Sequence, residues 1–281
     1  MATREREFRA RTDHGDLVGW LRESTGATAN GLLLHGGPGM SDYMSSLSDE
    51  LDGLLTTARY QQRGLAPSAV DGPVTVEQEV TDALSVIDAL GWDKPVVIGH
   101  SWGGYLAMHL AVAQPEGSGA LGIIDSLGAV DRGGQREFGP ALRRGLSEQQ
   151  LARHEQLEQL EEPSQDEMRE HVGILWPNYF ADPAGAPAMP HTDFATNTDE
   201  TWASIQGHFR KGTLARRLPR VDVPTLVIHG AKSPIPLNQG RRIAQLLPNS
   251  RLVVAQDCGH WPWLERPGFV CEQVAELLSN P

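Results

Sequence analysis

Short apolar runs alternate with amphipathic stretches along the first half of the chain, and this alternation restricts the possible folds more than any other feature. The predicted strands are residues 31–35, 54–60, 94–99 and 120–125. Residues 76–90 place apolar side chains at helical spacing, and residues 102–113 also predict a helix. Strands that alternate with helices predict βαβ units, and therefore an α/β fold with a mostly parallel sheet.

This alternation is interrupted once. From residue 131 to residue 219 the strands disappear, and the segment holds a charged helical stretch at 149–162 and a loop rich in Pro, Ala and Gly at 181–190. The pattern then resumes with predicted strands at 223–229 and 251–255 and predicted helices at 237–247 and 267–278. We therefore predict one core domain, residues 1–130 and 220–281, interrupted by a helical cap, residues 131–219.

Composition excludes several classes of protein. The chain has 281 residues, with 24 Lys and Arg against 36 Asp and Glu, for a net charge of −12. This acidity argues against partners that are nucleic acids or anionic membrane surfaces. No apolar run approaches the roughly 20 residues of a membrane span, the first residues do not resemble a signal peptide, and there are two cysteines. We expect a cytoplasmic protein without a disulfide framework, while the oligomeric state stays open.

Residues 99–103 read G-H-S-W-G and lie between a predicted strand and a predicted helix. A strand-to-helix elbow of this kind holds its serine on a strained turn with the hydroxyl exposed. Glycine is needed at both ends of the motif because side chains there would collide within the turn. The motif alone is a weak signal, and its position between strand and helix gives it weight. Ser101 is therefore the predicted nucleophile.

A second glycine-rich segment, residues 34–39 (L-H-G-G-P-G), follows another predicted strand. Backbone N–H groups in such a loop are suited to bind an oxyanion, the negatively charged oxygen that forms during acyl transfer. The expected donors are the amide of Gly37 and the amide of Trp102, which follows the nucleophile.

The last predicted strand is followed by residues 257–261 (D-C-G-H-W). A histidine in this loop is positioned to take the proton of Ser101 as general base. The chain order serine, acid, histidine favours His260 over the rival histidines His35 and His100.

These motifs resemble those of the α/β-hydrolases over essentially the whole chain, and within that superfamily they resemble the proline iminopeptidase-like branch. The similarity is carried by residues 35–39 (H-G-G-P-G), 62–64 (Q-R-G) and 101–104 (S-W-G-G). Gln61 stands where that branch usually has aspartate. The resemblance implies an eight-stranded sheet with helices on both faces, an inserted cap, and serine hydrolase chemistry without a metal or a cofactor.

The sequence departs from the family at the third catalytic position. Such hydrolases usually carry an acid after the seventh strand, in a stretch like Gly-x-x-Asp-Pro, whereas residues 229–234 here read H-G-A-K-S-P. Ser233 cannot stabilise an imidazolium by charge. Asp125 ends the neighbouring predicted strand, whose carboxyl end faces the same crevice, and certain haloalkane dehalogenases place their acid there. We therefore predict Asp125 as the acid.

Other interpretations of the acid stay open. Asp125 would also suit a structural role, accepting backbone N–H groups at the end of a strand. Asp131 and Asp257 are weaker rivals, and a serine–histidine dyad would instead rely on Ser233 or water to orient the ring.

The predicted function is cleavage of a small ester, lactone or amide through an acyl-enzyme, with a small molecule as the partner. The alternatives are release of an N-terminal proline, carbon–carbon bond hydrolysis, and a non-hydrolytic ligand-binding protein or cofactor-free lyase or cyclase. Candidate pocket residues are His35, His100, Trp176, Tyr179 and Trp261, with Trp102 also favoured. The cap acids Glu158, Glu161, Glu162, Asp166 and Glu167 fit either a substrate amino group or, more simply, a solvated helix face.

Overall fold

A single mixed sheet forms the centre of the computed structural model, which describes residues 4–130, 132–196 and 198–279. In spatial order its strands are β1 (Arg4–Thr12), β2 (Gly15–Glu23), β4 (Leu55–Tyr60), β3 (Ala29–Leu34), β6 (Val96–His100), β7 (Ala120–Ile124), β8 (Thr225–Gly230) and β9 (Ser250–Ala255). The two-residue β5 (Ala69–Val70) pairs with β2 off this path. β1, β2 and β4 pair antiparallel, and the ladders from β4 through β3 to β9 are parallel. The predicted eight-stranded, mostly parallel sheet is confirmed in the described residues.

Helices cover both faces of the sheet because successive strand residues point to opposite sides. In β3, Leu32 and Leu34 belong to one apolar cluster, whereas Leu33 belongs to the other. The first face carries α2 (Val76–Ala89), α3 (Trp102–Ala113) and α9 (Leu237–Leu246). The second face carries α1 (Ser45–Glu50), α10 (Pro262–Glu265) and α11 (Phe269–Ser279). α3 is buried on nearly every side, which explains its almost wholly apolar sequence.

The chain between β7 and β8 is helical. Its α-helices are α4 (Gly133–Leu142), α5 (Glu148–Glu158), α6 (Gln165–Leu175), α7 (Thr198–Lys211) and α8 (Thr213–Arg217). α5 and α6 each begin on a serine capping box, in which the N-cap and N3 side chains satisfy each other's backbone amides. Within the described part of this insertion no strand interrupts the helices, and the domain bounds at 131 and 219 stay a prediction.

The end of the insertion packs on the core domain. Ile205 and Phe209 of α7 and Leu214 of α8 join the apolar cluster that contains α2 and α3. The Ser204 hydroxyl also accepts the amide of Val76, the first residue of α2, at 3.1 Å. α7 and α8 therefore support the outside of the core. Among the helices of the described residues, none has the length and apolar character needed to cross a bilayer.

We expect Gly103→Ala to destabilise the protein by more than about 2 kcal/mol, a size typical of backbone strain in a packed core. A Cβ at Gly103 would overlap the carbonyl oxygen of Leu34. Gly173→Ala is the control, because a Cβ in that α6 position meets no atom within 4 Å. Alanine there should be neutral or stabilising by about 0.5–1 kcal/mol. Urea unfolding measures both changes, and equal effects would contradict the tight packing of the elbow.

Candidate active site

Ser101 occupies a strained turn between β6 and α3. Its backbone has φ 56° and ψ −117°, a region that residues other than glycine rarely adopt. Its amide donates to the carbonyl of Ile124 at 2.9 Å, which ties the turn to the end of β7. A Cβ at Gly99 would overlap the carbonyl of Gly103, so the turn needs glycine at that position. The structure thus places Ser101 at the N-terminus of α3, beside the carboxyl end of the sheet.

Asp125 lies directly after β7, and the structure brings its side chain to His260. The carboxylate is fully buried, and its Oδ2 lies 3.2 Å from Nδ1 of His260. Asp125 also has a positive φ of 44°, which turns the chain sharply at the end of the strand. An acid in this position can orient the imidazole and leave Nε2 available as a base.

The rival groups lie elsewhere. The Ser233 hydroxyl accepts the amide of Ile235 at 3.0 Å, within its own loop. Asp257 pairs with Lys232 at 2.9 Å, and its side chain is 85% exposed. Asp131 lies outside the described residues. Of those candidate acids that lie within the described residues, Asp125 is the one that contacts His260.

A second histidine contacts the same carboxylate, and sequence reasoning missed it. Nδ1 of His229 lies 3.0 Å from Oδ1 of Asp125, although the pair is not aligned as a regular hydrogen bond. Nε2 of His229 lies 2.9 Å from the carbonyl oxygen of Ile235. His229 precedes Gly230 at the end of β8, in the stretch where the family's acid was expected. A search of that stretch for carboxylates alone overlooks it.

The two histidines determine the charge of Asp125. Burial by itself would raise the pKa of Asp125, but His229 and then His260 hold it well below its ordinary value. Burial opposes the charged form of His229 as well, yet Asp125 raises the pKa of His229 above its ordinary value. The carboxylate is therefore ionised at neutral pH even though it is buried among protein atoms.

The loop that carries His260 is held by Glu265 of α10. The carboxylate of Glu265 accepts the amides of Gly259 at 2.9 Å, Trp261 at 3.2 Å and Ala181 at 2.8 Å. The amide of His260 donates to the carbonyl of Tyr179 at 2.7 Å. The position of His260 thus depends on backbone groups of both the loop and the helical insertion.

A chain of hydrogen bonds joins the glycine-rich loop to His260. The amide of Gly36 donates to the Tyr43 hydroxyl at 2.6 Å, and this hydroxyl lies 2.7 Å from Nδ1 of His100. Nε2 of His100 lies 2.8 Å from the carbonyl oxygen of His260. Burial, followed by the neighbouring His260, lowers the pKa of His100 well below its ordinary value. A neutral His100 that donates from Nε2 and accepts at Nδ1 satisfies every bond in this chain.

The two predicted oxyanion donors keep their N–H groups free. Within the described residues, neither Gly37 nor Trp102 donates its backbone amide to a protein acceptor. Trp102 is the first residue of α3, where helical geometry leaves an amide without an intrahelical acceptor. The amide of Gly36, by contrast, is already used by Tyr43.

Gln62 connects the predicted oxyanion segments. Its side-chain amide donates to the carbonyl of His35 at 3.0 Å, and its Oε1 accepts Nε1–H of Trp102 at 2.9 Å. The next residue, Arg63, forms a fully buried two-point contact with Asp82, both bonds being 2.7 Å long. The Q-R-G motif therefore anchors the glycine-rich loop and the nucleophile helix to the core.

The predicted pocket residues divide into two groups. Trp176 and Trp261, with Tyr43, line a cavity of about 350 Å³ between the insertion and the core, and the ring of Tyr179 lies 5.5 Å from that of His260. The others are engaged inside the protein. The ring nitrogens of His35 bond to Gly36 and Gln62, those of His100 bond to Tyr43 and His260, and the indole of Trp102 is fully buried against Gln62.

The acidic run of the insertion does not line this cavity. Exposed members are Glu158, Glu161, Glu162 and Asp166. Glu167 closes the capping box at the start of α6 with Ser164, and the neighbouring Glu170 pairs with Arg153. The solvated helix face therefore describes this run better than a site for a substrate amino group.

Comparison with known proteins identifies the protein family of this chain. The alpha/beta hydrolase family matches residues 32–273, and the chain belongs to this family. The predicted family resemblance is confirmed, and the protein is a hydrolase of the α/β type.

Its relatives differ in the activities that their names state. The chain is 28% identical to 2-hydroxymuconate semialdehyde hydrolase from Pseudomonas putida over 223 residues, which cover 77% of this chain and 72% of that protein. It is 24% identical over 276 residues to proline iminopeptidase from Saccharolobus solfataricus, covering 91% and 86% of the two chains. Proline iminopeptidase from Mycobacterium smegmatis superposes with a TM-score of 0.68 at 25% identity, covering 98% of each chain.

We expect Glu265→Gln to slow the reaction of Ser101 with a fluorophosphonate probe by roughly 10- to 100-fold. The amide keeps one acceptor oxygen but brings N–H groups toward backbone donors, which displaces the loop of His260, and small displacements have effects of this size. Glu272→Gln is the matched control, because Glu272 is exposed on α11. Equal labelling rates in the two variants would show that Glu265 does not position the loop.

Proposed function

We propose that this hydrolase cleaves a small ester, lactone or amide through an acyl-enzyme on Ser101, with His260 as general base and Asp125 as the acid. The proposal rests on one observation above all: the buried Oδ2 of Asp125 lies 3.2 Å from Nδ1 of His260, although the family's usual acid position holds Ser233. This contact supplies the orienting charge that a serine–histidine pair would otherwise lack.

Each residue then has a defined task. Asp125 keeps the proton of His260 on Nδ1, so that Nε2 takes the proton of Ser101 as the serine oxygen attacks the carbonyl carbon. The amides of Gly37 and Trp102 donate to the oxyanion, and one such donor is worth about 3–4 kcal/mol elsewhere. His260 passes the proton to the leaving group, and the acyl-enzyme forms. Water then attacks the acyl carbon and gives a proton to His260, and His260 returns this proton to the oxygen of Ser101 as the bond to the acyl group breaks.

The aromatic cavity supports a small apolar or amphipathic substrate. Its lining includes Trp176, Trp261, Trp263 and Tyr43. Ser101 and His260 are not part of this lining, but the ring of Trp261 lies 5.7 Å from that of His260, so the cavity lies beside the proposed base. Pockets of this composition bury apolar groups and use few polar contacts to orient them. A small organic molecule is therefore the proposed partner.

Carbon–carbon bond hydrolysis is the second candidate, favoured by the similarity to the Pseudomonas putida enzyme, whose name states hydrolysis of 2-hydroxymuconate semialdehyde. The same serine, histidine and oxyanion donors would attack a ketone carbonyl of a diketone-like substrate. Proline release is favoured by the iminopeptidase relatives, but the acidic run of the insertion does not line the cavity.

A substrate panel tests these candidates. Short-chain aryl esters should be hydrolysed with a burst of the phenol, because an acyl-enzyme accumulates, and a fluorophosphonate should label the wild-type protein but not Ser101→Ala. A prolyl arylamide and a vinylogous diketone complete the panel. Turnover of the diketone alone would favour the second candidate, and absence of labelling would contradict a nucleophilic serine.

Asp125→Asn should lower kcat by about 10³- to 10⁴-fold, because an amide favours the wrong tautomer of His260. Asp257→Asn is the control, since Asp257 is exposed and pairs with Lys232, and this variant should retain wild-type kcat. Adding Ser233→Asp to the Asp125→Asn protein should recover part of the activity. Near wild-type turnover of Asp125→Asn on the best ester would overturn the assignment.

A further inference from the structure

The proposed mechanism uses one carboxylate oxygen of Asp125, but each of the two oxygens lies close to a histidine ring. Oδ2 faces Nδ1 of His260, and Oδ1 faces Nδ1 of His229 at 3.0 Å. His229 is completely buried. The protonation state of His229 matters because it decides the net charge of this buried pair.

Both ring nitrogens of His229 face atoms that can only accept a hydrogen bond. Nδ1 faces a carboxylate oxygen, and Nε2 lies 2.9 Å from the carbonyl oxygen of Ile235. A neutral imidazole carries one N–H and one lone pair. A neutral ring protonated on Nδ1 would direct the lone pair of Nε2 at the carbonyl of Ile235, and one protonated on Nε2 would bring the lone pair of Nδ1 to the 3.0 Å contact with Oδ1 of Asp125, out of line for a regular hydrogen bond. Both arrangements are costly in a buried site. Only the imidazolium, with an N–H on each nitrogen, suits both neighbours.

The surroundings of His229 support the charged form. From the end of β7 the ring meets the anionic Asp125, and from the β8–α9 loop it meets the carbonyl of Ile235. From α9 it meets the uncharged backbone of Gly240. Among the described residues, His260, His100 and Cys258 also interact electrostatically with Asp125. Burial lowers the pKa of His100 and raises that of the Cys258 thiol, so both of these groups stay neutral.

We propose that His229 is a positioning residue that remains an imidazolium while the enzyme works, and that its charge holds Asp125 ionised beside His260. This inference rests on the proposed function for the role of His260, whereas the charge of His229 stands on the contacts of its own ring.

The positive charge changes the electrostatic balance of the reaction. At rest Asp125 and His229 form a neutral buried pair, whereas an aspartate facing only a neutral histidine would leave a net negative charge in the core. When the proton moves from Ser101 to His260, the new imidazolium and the oxyanion appear together and also cancel. The site therefore stays neutral overall at both stages.

His229→Asn tests the proposal, since the asparagine side-chain N–H can replace Nδ1–H as a neutral donor. Removing the positive charge leaves Asp125 facing His260 alone, which favours the protonated form of His260. The acid limb of the pH profile for Ser101 labelling should move upward by about one pH unit, the usual size for a neighbouring charge. An acid limb that stays in place or moves downward would overturn the proposal.

His109→Asn is the matched control. His109 is a buried histidine of α3 whose Nε2 has no hydrogen-bond partner among the residues that the structure describes, and it lies outside the machinery described above. Its replacement should leave the acid limb where it is in the wild-type protein. A shift of equal size in both variants would mean that the loss of any buried histidine moves the profile.

The ¹⁵N resonances of the wild-type protein give a reading that does not depend on activity or on the folding of a variant. The two ring nitrogens of an imidazolium have similar shifts, whereas those of a neutral ring differ widely. We expect the similar pair for His229 from pH 5 to pH 8, and a widely separated pair would overturn the proposal. If His229 is charged but Ser101 is not labelled by the fluorophosphonate, the proposed function fails while the charge of His229 stands.

Discussion

The buried contact between Asp125 and its two histidines is the interaction on which the rest of the site depends. A carboxylate with no exposed surface is stable as an anion only where opposite charge and N–H donors surround it. His229 and His260 provide these from the two sides. Because Asp125 follows β7, His229 ends β8 and His260 lies beyond β9, the parallel pairing of these three strands is what brings the groups together.

Around this ionic centre, the site is held mainly by backbone groups. Amides and carbonyls of the glycine-rich loop, the nucleophile turn and the His260 loop are connected through the side chains of Tyr43, His100 and Glu265. Each of these side chains is oriented by more than one bond. Such preorganisation is what electrostatic stabilisation of a transition state requires.

Much of the fold follows from local sequence pattern, because buried parallel strands are short continuous apolar runs and the elbow needs glycine at specific places. β1 lacks such an apolar run and was not predicted, since its alternating Arg and Glu side chains lie mostly exposed at the edge of the sheet. Asp125 was predicted from strand adjacency, a topological argument. His229 was not, because histidine is not the residue type expected in that stretch, and its role depends on a contact with Asp125, 104 positions earlier in the sequence.

The bonds from the insertion to the His260 loop bear on how this enzyme could be redesigned. The carbonyl of Tyr179 holds the amide of His260, and the amide of Ala181 shares the carboxylate of Glu265 with that loop. A replacement cap that lacked these two backbone groups would displace the proposed base, His260, and change the proposed pocket at the same time. Cap exchange in this enzyme therefore has to preserve the backbone of residues 179–181. Otherwise a change meant to alter the substrate range would also alter proton transfer by the proposed base.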